Sequence, residues 1–191
     1  MKNTILAIVF VAVSVLGAKA QSSANVKVNV VLNPTLSISL GSGANNGSAY
    51  DEVTLEYKSA QDYTNGVDTL VAKQLKVTSI GSGYRVKAAL SNGGQFTKSA
   101  GLGIESIDAS QLLQIGLGSA ANGKTAAATM DFDNVGGDSN ASSSVLNKEL
   151  DVYYRAKDLN EGEIKQLLGN NATKNSTATY TVDVVYTIAA N

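Results

Sequence analysis

Three carboxylates offer the best candidates for metal chemistry because they cluster beside glycines. Asp131, Asp133 and Asp138 lie in one short run that also contains Gly136 and Gly137. Calcium takes several oxygen ligands from a flexible glycine-containing loop, so this run predicts a candidate calcium site. The EF-hand spacing is not met, because no glutamate closes the loop. A strand end followed by an Asx-rich turn is the alternative interpretation, and it stays open.

Catalysis finds little support in the residue types. The chain contains no histidine and no cysteine, which excludes a Ser-His-Asp triad, a thiol nucleophile and imidazole or thiolate metal ligands. Asp51 and Glu52 are adjacent, but neighbours along a strand point to opposite faces. A paired-carboxylate hydrolase is therefore not indicated, and we predict that the protein is not an enzyme.

Carbohydrate binding is the other small-ligand possibility. A sugar platform needs exposed aromatic rings, and the candidates are Tyr50, Tyr57, Tyr63, Tyr153 and Tyr154. Tyr57 and Tyr154 have the same parity as the apolar residues of their strands, which favours ordinary packing. A soluble envelope module that binds glycan or calcium is retained as the alternative function.

The first twenty residues predict export. Lys2 precedes an apolar run from Ile5 to Leu16, and residues 18 to 20 read Ala-Lys-Ala, an A-x-A cleavage site. Cleavage would leave residues 21 to 191 as a single domain with no membrane span. Without Lys2 and Lys19 the net charge changes from −1 to −3, which does not indicate a nucleic-acid partner. We expect a periplasmic, cell-surface or extracellular location.

Period-two alternation at both ends of this domain predicts strands. Residues 178 to 190 form the longest example, and one parity is apolar or aromatic; its members are Tyr180, Val182, Val184, Tyr186 and Ile188. Residues 24 to 32 repeat the pattern with Val26, Val28, Val30 and Leu32. Pro34 interrupts this first strand, as expected where a strand passes between two sheets. We predict that these two end strands take part in strand pairing.

The middle of the chain reads as further short strands and turns. Val53, Leu55 and Tyr57 predict one strand, and residues 71 to 77 with 84 to 90 predict a hairpin about Gly81-Ser82-Gly83. One helix is expected after Asn160, with Glu163 completing a capping box and Gly169 ending it. The expected fold is an all-β antiparallel sandwich, immunoglobulin-like or jelly-roll-like, with eight to ten strands and this short helix before the last strand.

The two ends of the mature sequence also resemble a known group. Residues 26 to 40 and 180 to 188 resemble the opening and closing strands of small secreted Gram-negative β-proteins, the fimbrial-subunit-like and spore-coat-protein-U-like domains. The resemblance implies a structural or adhesive role at the cell envelope. It also implies strand pairing with another copy or another envelope protein, with residues 24 to 32 as the donated strand. A closed monomer, in which residues 26 to 32 cover the closing strand of their own chain, is the arrangement we expect.

Overall fold

A computed structural model describes residues 24–44, 51–118, 123–132, 140–173 and 175–191. Two compact units divide the chain, Met1–Leu32 and Asn33–Asn191. Only residues 24–32 of the first unit are described, and they are assigned neither helix nor strand. The expected signal peptide lies outside the described residues.

The second unit is an antiparallel β-protein, as its alternating sequence predicts. Its described part contains twelve strands: β1 Thr35–Leu40, β2 Val67–Ile80, β3 Tyr84–Leu90, β4 Gln95–Gly101, β5 Ser106–Asp108, β6 Leu113–Leu117, β7 Lys124–Thr125, β8 Thr129–Asp131, β9 Asn140–Ala141, β10 Val145–Ala156, β11 Ala178–Thr181 and β12 Val184–Ala190. Four of these strands have only two or three residues, which explains the excess over the eight to ten expected. Three short α-helices and one 3-10 turn, Ser91–Gly93, join them: α1 Ala60–Asn65, α2 Ala109–Leu112 and α3 Glu161–Leu168.

The strands form two facing layers. One sheet has the order β1-β2-β10-β6-β7. The opposite layer contains the sheet β12-β3-β8, with β9 also paired with β3. A short sheet β11-β4-β5 belongs with it, because β4 follows β3 and β12 follows β11 along the chain. Leu75, Val77 and Val152 of the first sheet share one buried cluster with Tyr84 and Val86 of the second. The expected all-β sandwich is therefore confirmed.

The expected hairpin between β2 and β3 is wrong. β2 pairs with β1 and β10, whereas β3 pairs with β12, β8 and β9. Gly81-Ser82-Gly83 carries the chain from one layer to the other, so the two strands face each other across the core. The Ser79 hydroxyl, which is fully buried, donates towards the carbonyls of Ser82 and Gly83 inside this turn. Leu75 and Val77 of β2 share one core cluster with Val86 and Ala88 of β3, so the apolar faces of the two strands cover each other.

The strand expected at Val53, Leu55 and Tyr57 is also not formed. Residues 51 to 58 are assigned no strand, although their side chains alternate between half-buried and exposed. Val53 and Leu55 pack against the main core, while Tyr57 joins a second cluster around Ile107. Side-chain burial thus accounts for the alternation, in a segment that joins no ladder within the described residues.

Helix α3 forms as predicted. The Asn160 side chain accepts a hydrogen bond from the Glu163 N–H at 3.0 Å, and the Glu163 carboxylate accepts from the Asn160 N–H at 2.7 Å. Gly169 follows the last residue with φ +86°, a conformation that glycine adopts readily. Leu167 is buried against Leu159 in the second cluster. The helix therefore packs through one apolar face, as an eight-residue helix must to be stable.

Candidate strand-pairing site at β12

Strand β12 is an uncharged edge strand. Its residues read Val-Val-Tyr-Thr-Ile-Ala-Ala, and it pairs with β3 on one side. No other strand within the described ranges pairs with its second side, which we call the outer edge of β12. Edge strands in proteins are commonly protected by charges, proline or bulges, because an open ladder recruits another strand. β12 has none of these features.

The hydrogen bonds around β12 show which backbone groups face outwards. Asn191 N–H donates to the Gly83 carbonyl at 3.2 Å, and Ser91 N–H donates to the Asp183 carbonyl at 3.0 Å. Odd-numbered residues therefore direct their N–H and C=O groups towards β3. In an antiparallel ladder these directions alternate with each residue. Val184, Tyr186, Ile188 and Ala190 consequently present their backbone groups to the outer edge.

The side chains of the same even-numbered residues point towards the core. Val184, Tyr186 and Ile188 are partly buried against the main cluster, as is Val182 in the preceding link. Val185, on the opposite face, is 56% exposed. The face predicted for the closing strand is confirmed, but the strand is divided into β11 and β12, and Tyr180 packs in the second cluster. An added strand could therefore bond to the backbone while continuing the apolar face.

From the sequence we expect Leu150 to Ala156, joined through the small helix, to be the first partner of the closing strand, and this expectation is wrong. Residues 150 to 156 belong to β10, which is already flanked by β2 and β6 in the first sheet. β11 pairs with β4, and β12 pairs with β3. Because β10 has both sides occupied, the chain that follows it through α3 enters the opposite layer.

Strand β1 forms a second uncharged edge beside β12. It reads Thr-Leu-Ser-Ile-Ser-Leu, lies at the end of the first sheet, and is close to β12 in space. A mainly apolar pocket of about 220 Å³ opens at one end of this pair of strands. It is lined by Pro34, Thr35, Leu36, Ile80, Ser82 and Ala190. The edges of the two layers thus lie side by side, and we call the space between β1 and the outer edge of β12 the groove.

The N-terminal segment, residues 24 to 32, carries the second half of the predicted pairing. The expected strand is not formed there, and all nine residues are exposed. Val26 is 83% exposed and Leu32 is 86% exposed, with Val28, Val30 and Val31 similar. The closed monomer stays a prediction: β12 pairs with β3 on one side, and residues 24 to 32 are assigned no strand. An alternating sequence forms a strand only when a neighbouring strand supplies hydrogen-bond partners for its backbone.

A chain of polar groups lies under β12. The Tyr154 hydroxyl on β10 donates to Gln74 Oε1 on β2 at 2.8 Å, and it lies 2.9 Å from the Tyr186 hydroxyl. Gln74 Nε2 donates to Asp51 Oδ2 at 2.7 Å. Burial raises the pKa of Tyr154 to about 12 and that of Tyr186 well above its usual value, so both phenols stay neutral at pH 7. These hydrogen bonds hold the side chains beneath β12 in place, and the groups do not form a reactive centre.

Sequence reasoning missed this polar chain. Gln74 is 3% exposed although its parity is opposite to that of Val71, Leu75 and Val77, because the register of β2 shifts beside Lys73, whose φ is +56°. The sequence presents Asp51 only as half of a carboxylate pair, whereas in the structure its carboxylate accepts a hydrogen bond from the Gln74 side chain. The pattern alone could not show that four separate segments meet at these atoms.

The predicted calcium ligands are only partly described. Asp131 Oδ2 lies 3.1 Å from Lys87 Nζ, while Asp133 and Asp138 lie outside the described residues. No group of three acidic, histidine or cysteine side chains suited to a metal occurs within the described ranges. Calcium binding therefore stays a prediction, and the melting temperature in millimolar calcium against chelator measures it.

The tyrosines considered for carbohydrate binding do not form an exposed platform in the described structure. Tyr153 and Tyr154 are buried, and Tyr50 lies outside the described residues. Tyr57 and Tyr63 stack with ring centroids 4.9 Å apart and an interplanar angle of 22°. The Tyr57 hydroxyl donates a hydrogen bond to the Lys157 carbonyl, and burial raises the pKa of Tyr57 to about 12. The two rings therefore pack against each other and against the second cluster.

Comparison with protein-family models, with curated proteins and with solved structures found no match to this chain. None of the helices in the described ranges is long and apolar enough to cross a membrane.

Proposed function

We propose that this protein is an exported, non-catalytic structural subunit of the cell envelope, fimbrial-like in that it self-associates by strand pairing. The observation that carries the proposal is the outer edge of β12, a seven-residue uncharged edge with no strand partner in the described structure. Its donor is the N-terminal segment of a second copy. Nine residues at about 3.3 Å each reach about 30 Å, enough to cover the seven residues of β12.

Exposure of apolar side chains supports this choice of donor. Val26, Val28, Val30 and Leu32 are exposed and would share one face of an added strand, and burying such side chains contributes about 1.5 to 3 kcal/mol each relative to full exposure. Asn25, Lys27 and Asn29 would lie on the other face, towards solvent. Pairing would satisfy the outward backbone groups of β12 and cover these apolar side chains in one step.

Connectivity favours a neighbouring copy over the same chain. Thr35 and Leu36 line a pocket with Ala190, so β1 begins near the end of β12. Residue 32 precedes Thr35 by three positions, so a same-chain strand would have to approach that end running parallel to β12. A second copy has no such restriction and can add in the antiparallel sense, which is slightly more stable per residue.

Light scattering of the mature chain, residues 21 to 191, tests the proposal. We expect concentration-dependent oligomers for the unaltered protein and monomers for the double variant Val28→Asp, Val30→Asp, because each charge would enter the groove. The double variant Asn25→Asp, Asn29→Asp is the matched control, since it places the same two charges on the solvent face. A monomeric unaltered protein, or a Val28→Asp, Val30→Asp variant that assembles like the control, would contradict strand donation.

The export part of the proposal has its own measurement. Ala18-Lys19-Ala20 predicts cleavage before Gln21. The full chain expressed in a Gram-negative host should appear outside the cytoplasm with Gln21 as its first residue. Recovery of the uncleaved chain from the cytoplasm would remove the envelope location while leaving the pairing intact.

A further inference from the structure

We infer that β12 accepts its partner strand in the antiparallel sense and in one register, with Val30 of the neighbour opposite Tyr186. This inference rests on the proposed self-association and specifies its geometry. The two observations that carry it are the parity of the outward backbone groups of β12 and the parity of the apolar residues in the N-terminal segment.

The backbone of β12 restricts the register to alternate positions. Val184, Tyr186, Ile188 and Ala190 direct their N–H and C=O groups outwards, and their side chains face the core side of the sheet. A residue that exchanges both hydrogen bonds with one of them places its own side chain on that same side. The donor residues opposite these positions must therefore be the apolar, even-numbered ones. A slip of one residue would put Asn25, Lys27 and Asn29 over the core.

Complete overlap selects one register among those that remain. Pairing Leu32 with Val184 sets Val30 opposite Tyr186, Val28 opposite Ile188 and Val26 opposite Ala190. A slip of two residues in either direction leaves one of the four apolar donor residues without a β12 residue opposite it. Each such side chain corresponds to about 1.5 to 3 kcal/mol of burial, enough to favour the full register strongly.

The shape of the groove agrees with this assignment. Tyr186 is the largest side chain of β12, and its hydroxyl is hydrogen-bonded to Tyr154; the full register places the smaller Val30 side chain beside it. At the far end, Ala190 leaves the pocket of about 220 Å³ beside Pro34 and Leu36. Val26 of the neighbour reaches that pocket in the full register.

The antiparallel sense follows from the surrounding sheets and from connectivity. Every described ladder is antiparallel. A parallel partner is what the same chain would supply, since residue 32 must stay within three residues of Thr35. Orientation therefore separates a donated strand from a self-supplied one.

Cysteine cross-linking between copies measures orientation and register together, because the natural chain contains no cysteine. Val31→Cys in one mature copy and Val185→Cys in another become directly opposite in the inferred arrangement. They form a non-hydrogen-bonded pair with Cα atoms about 4.5 Å apart, within the range that a disulfide bridges. Mixing the two purified single-cysteine variants under mild oxidation should give a covalent heterodimer.

Two further mixtures serve as matched controls. Val31→Cys with Ala189→Cys would be opposite in a parallel pair, and Val31→Cys with Thr187→Cys would be opposite after a two-residue slip. We expect the Val185 mixture to cross-link at least about tenfold faster than either control. Fastest cross-linking at Ala189 would overturn the orientation, and fastest cross-linking at Thr187 would overturn the register.

Light scattering of the same samples separates this inference from the proposed function. Oligomers that depend on Val28 and Val30 but show no preference for position 185 would overturn the register while strand donation stands. An absence of oligomers in the unaltered protein would overturn strand donation itself. Mass spectrometry of the heterodimer identifies the cysteine-linked peptides directly.

Discussion

The hydroxyl groups of Tyr154 and Tyr186 lie 2.9 Å apart and join the two layers of the sandwich through its interior. Tyr154 donates its proton to Gln74 Oε1, so its oxygen accepts the proton of Tyr186. The bonds therefore run in one direction from Tyr186 through Tyr154 and Gln74 to the carboxylate of Asp51. Because an ionised carboxylate can only accept hydrogen bonds, every donor in this chain points towards Asp51.

Removing the two hydroxyls should have unequal effects. Tyr186→Phe deletes the first donor, and Tyr154 keeps its bond to Gln74, so we expect a loss of about 1 kcal/mol in the free energy of unfolding. Tyr154→Phe leaves both Gln74 Oε1 and the Tyr186 hydroxyl without this partner, so we expect about 2 kcal/mol or more. Urea unfolding followed by tyrosine fluorescence measures both, and equal losses would contradict the central position of Tyr154 between Gln74 and Tyr186.

Alkaline pH should destabilise the fold through Tyr154. Burial raises its pKa to about 12 in the folded protein, against about 10 in an unfolded chain. The neutral phenol therefore stabilises the folded state fully below pH 10, and this contribution is lost as the pH rises towards 12. Two pKa units correspond to a loss of about 2 to 3 kcal/mol at most.

Comparison with Tyr154→Phe isolates that contribution from other groups that titrate in the same range. Urea unfolding at pH 9, 10 and 11 should show a steeper decline for the unaltered chain than for the variant. Parallel declines would mean that Tyr154 does not carry the pH dependence.

The turn between β2 and β3 should tolerate almost no side chain at Gly83. A Cβ atom there would lie 2.1 Å from the Ala141 carbonyl oxygen, which is backbone and cannot rotate away. We expect Gly83→Ala to lower the free energy of unfolding by about 1 to 3 kcal/mol, as overpacking does. Ser82→Ala in the same turn keeps the backbone carbonyl that Ser79 uses, and thermal melting should show it close to the unaltered protein.

Proline at two neighbouring positions should distinguish the inner and outer sides of β12. The Ala189 N–H faces β3, so Ala189→Pro removes a ladder bond and should lower monomer stability by about 1 kcal/mol or more. The Ala190 N–H faces outwards, so Ala190→Pro should keep monomer stability and weaken self-association up to about tenfold. Thermal melting of dilute protein and sedimentation of concentrated protein give the two readings. The reverse pattern would show that the outward groups are misassigned.

The faces of the strands could be predicted from sequence because burial follows period-two alternation. Tyr186 and Ile188, like Val86 and Leu150, are buried or partly buried as their parity requires. The capping box of α3 is equally local, since Asn160 and Glu163 are three positions apart. These features depend on residues that are neighbours along the chain.

Strand partners could not be predicted in the same way. Gly81-Ser82-Gly83 is compatible with a hairpin and with a crossing between layers, and only the buried faces on both sides decide between them. Residues 24 to 32 alternate like a strand but belong to no described ladder. The polar chain from Asp51 to Tyr186 joins segments more than 100 positions apart, so no local pattern contains it.

The pairing of β2 with β10 also determines when this protein can fold. Val71 pairs with Val152, so 81 positions of chain separate two partners in the main sheet. Closing such a long loop costs entropy before any ladder bond compensates for it, and domains with many distant contacts fold slowly. The first sheet cannot be completed until residues up to Ala156 of β10 are available, so we expect the sandwich to form only after most of the chain has been synthesised.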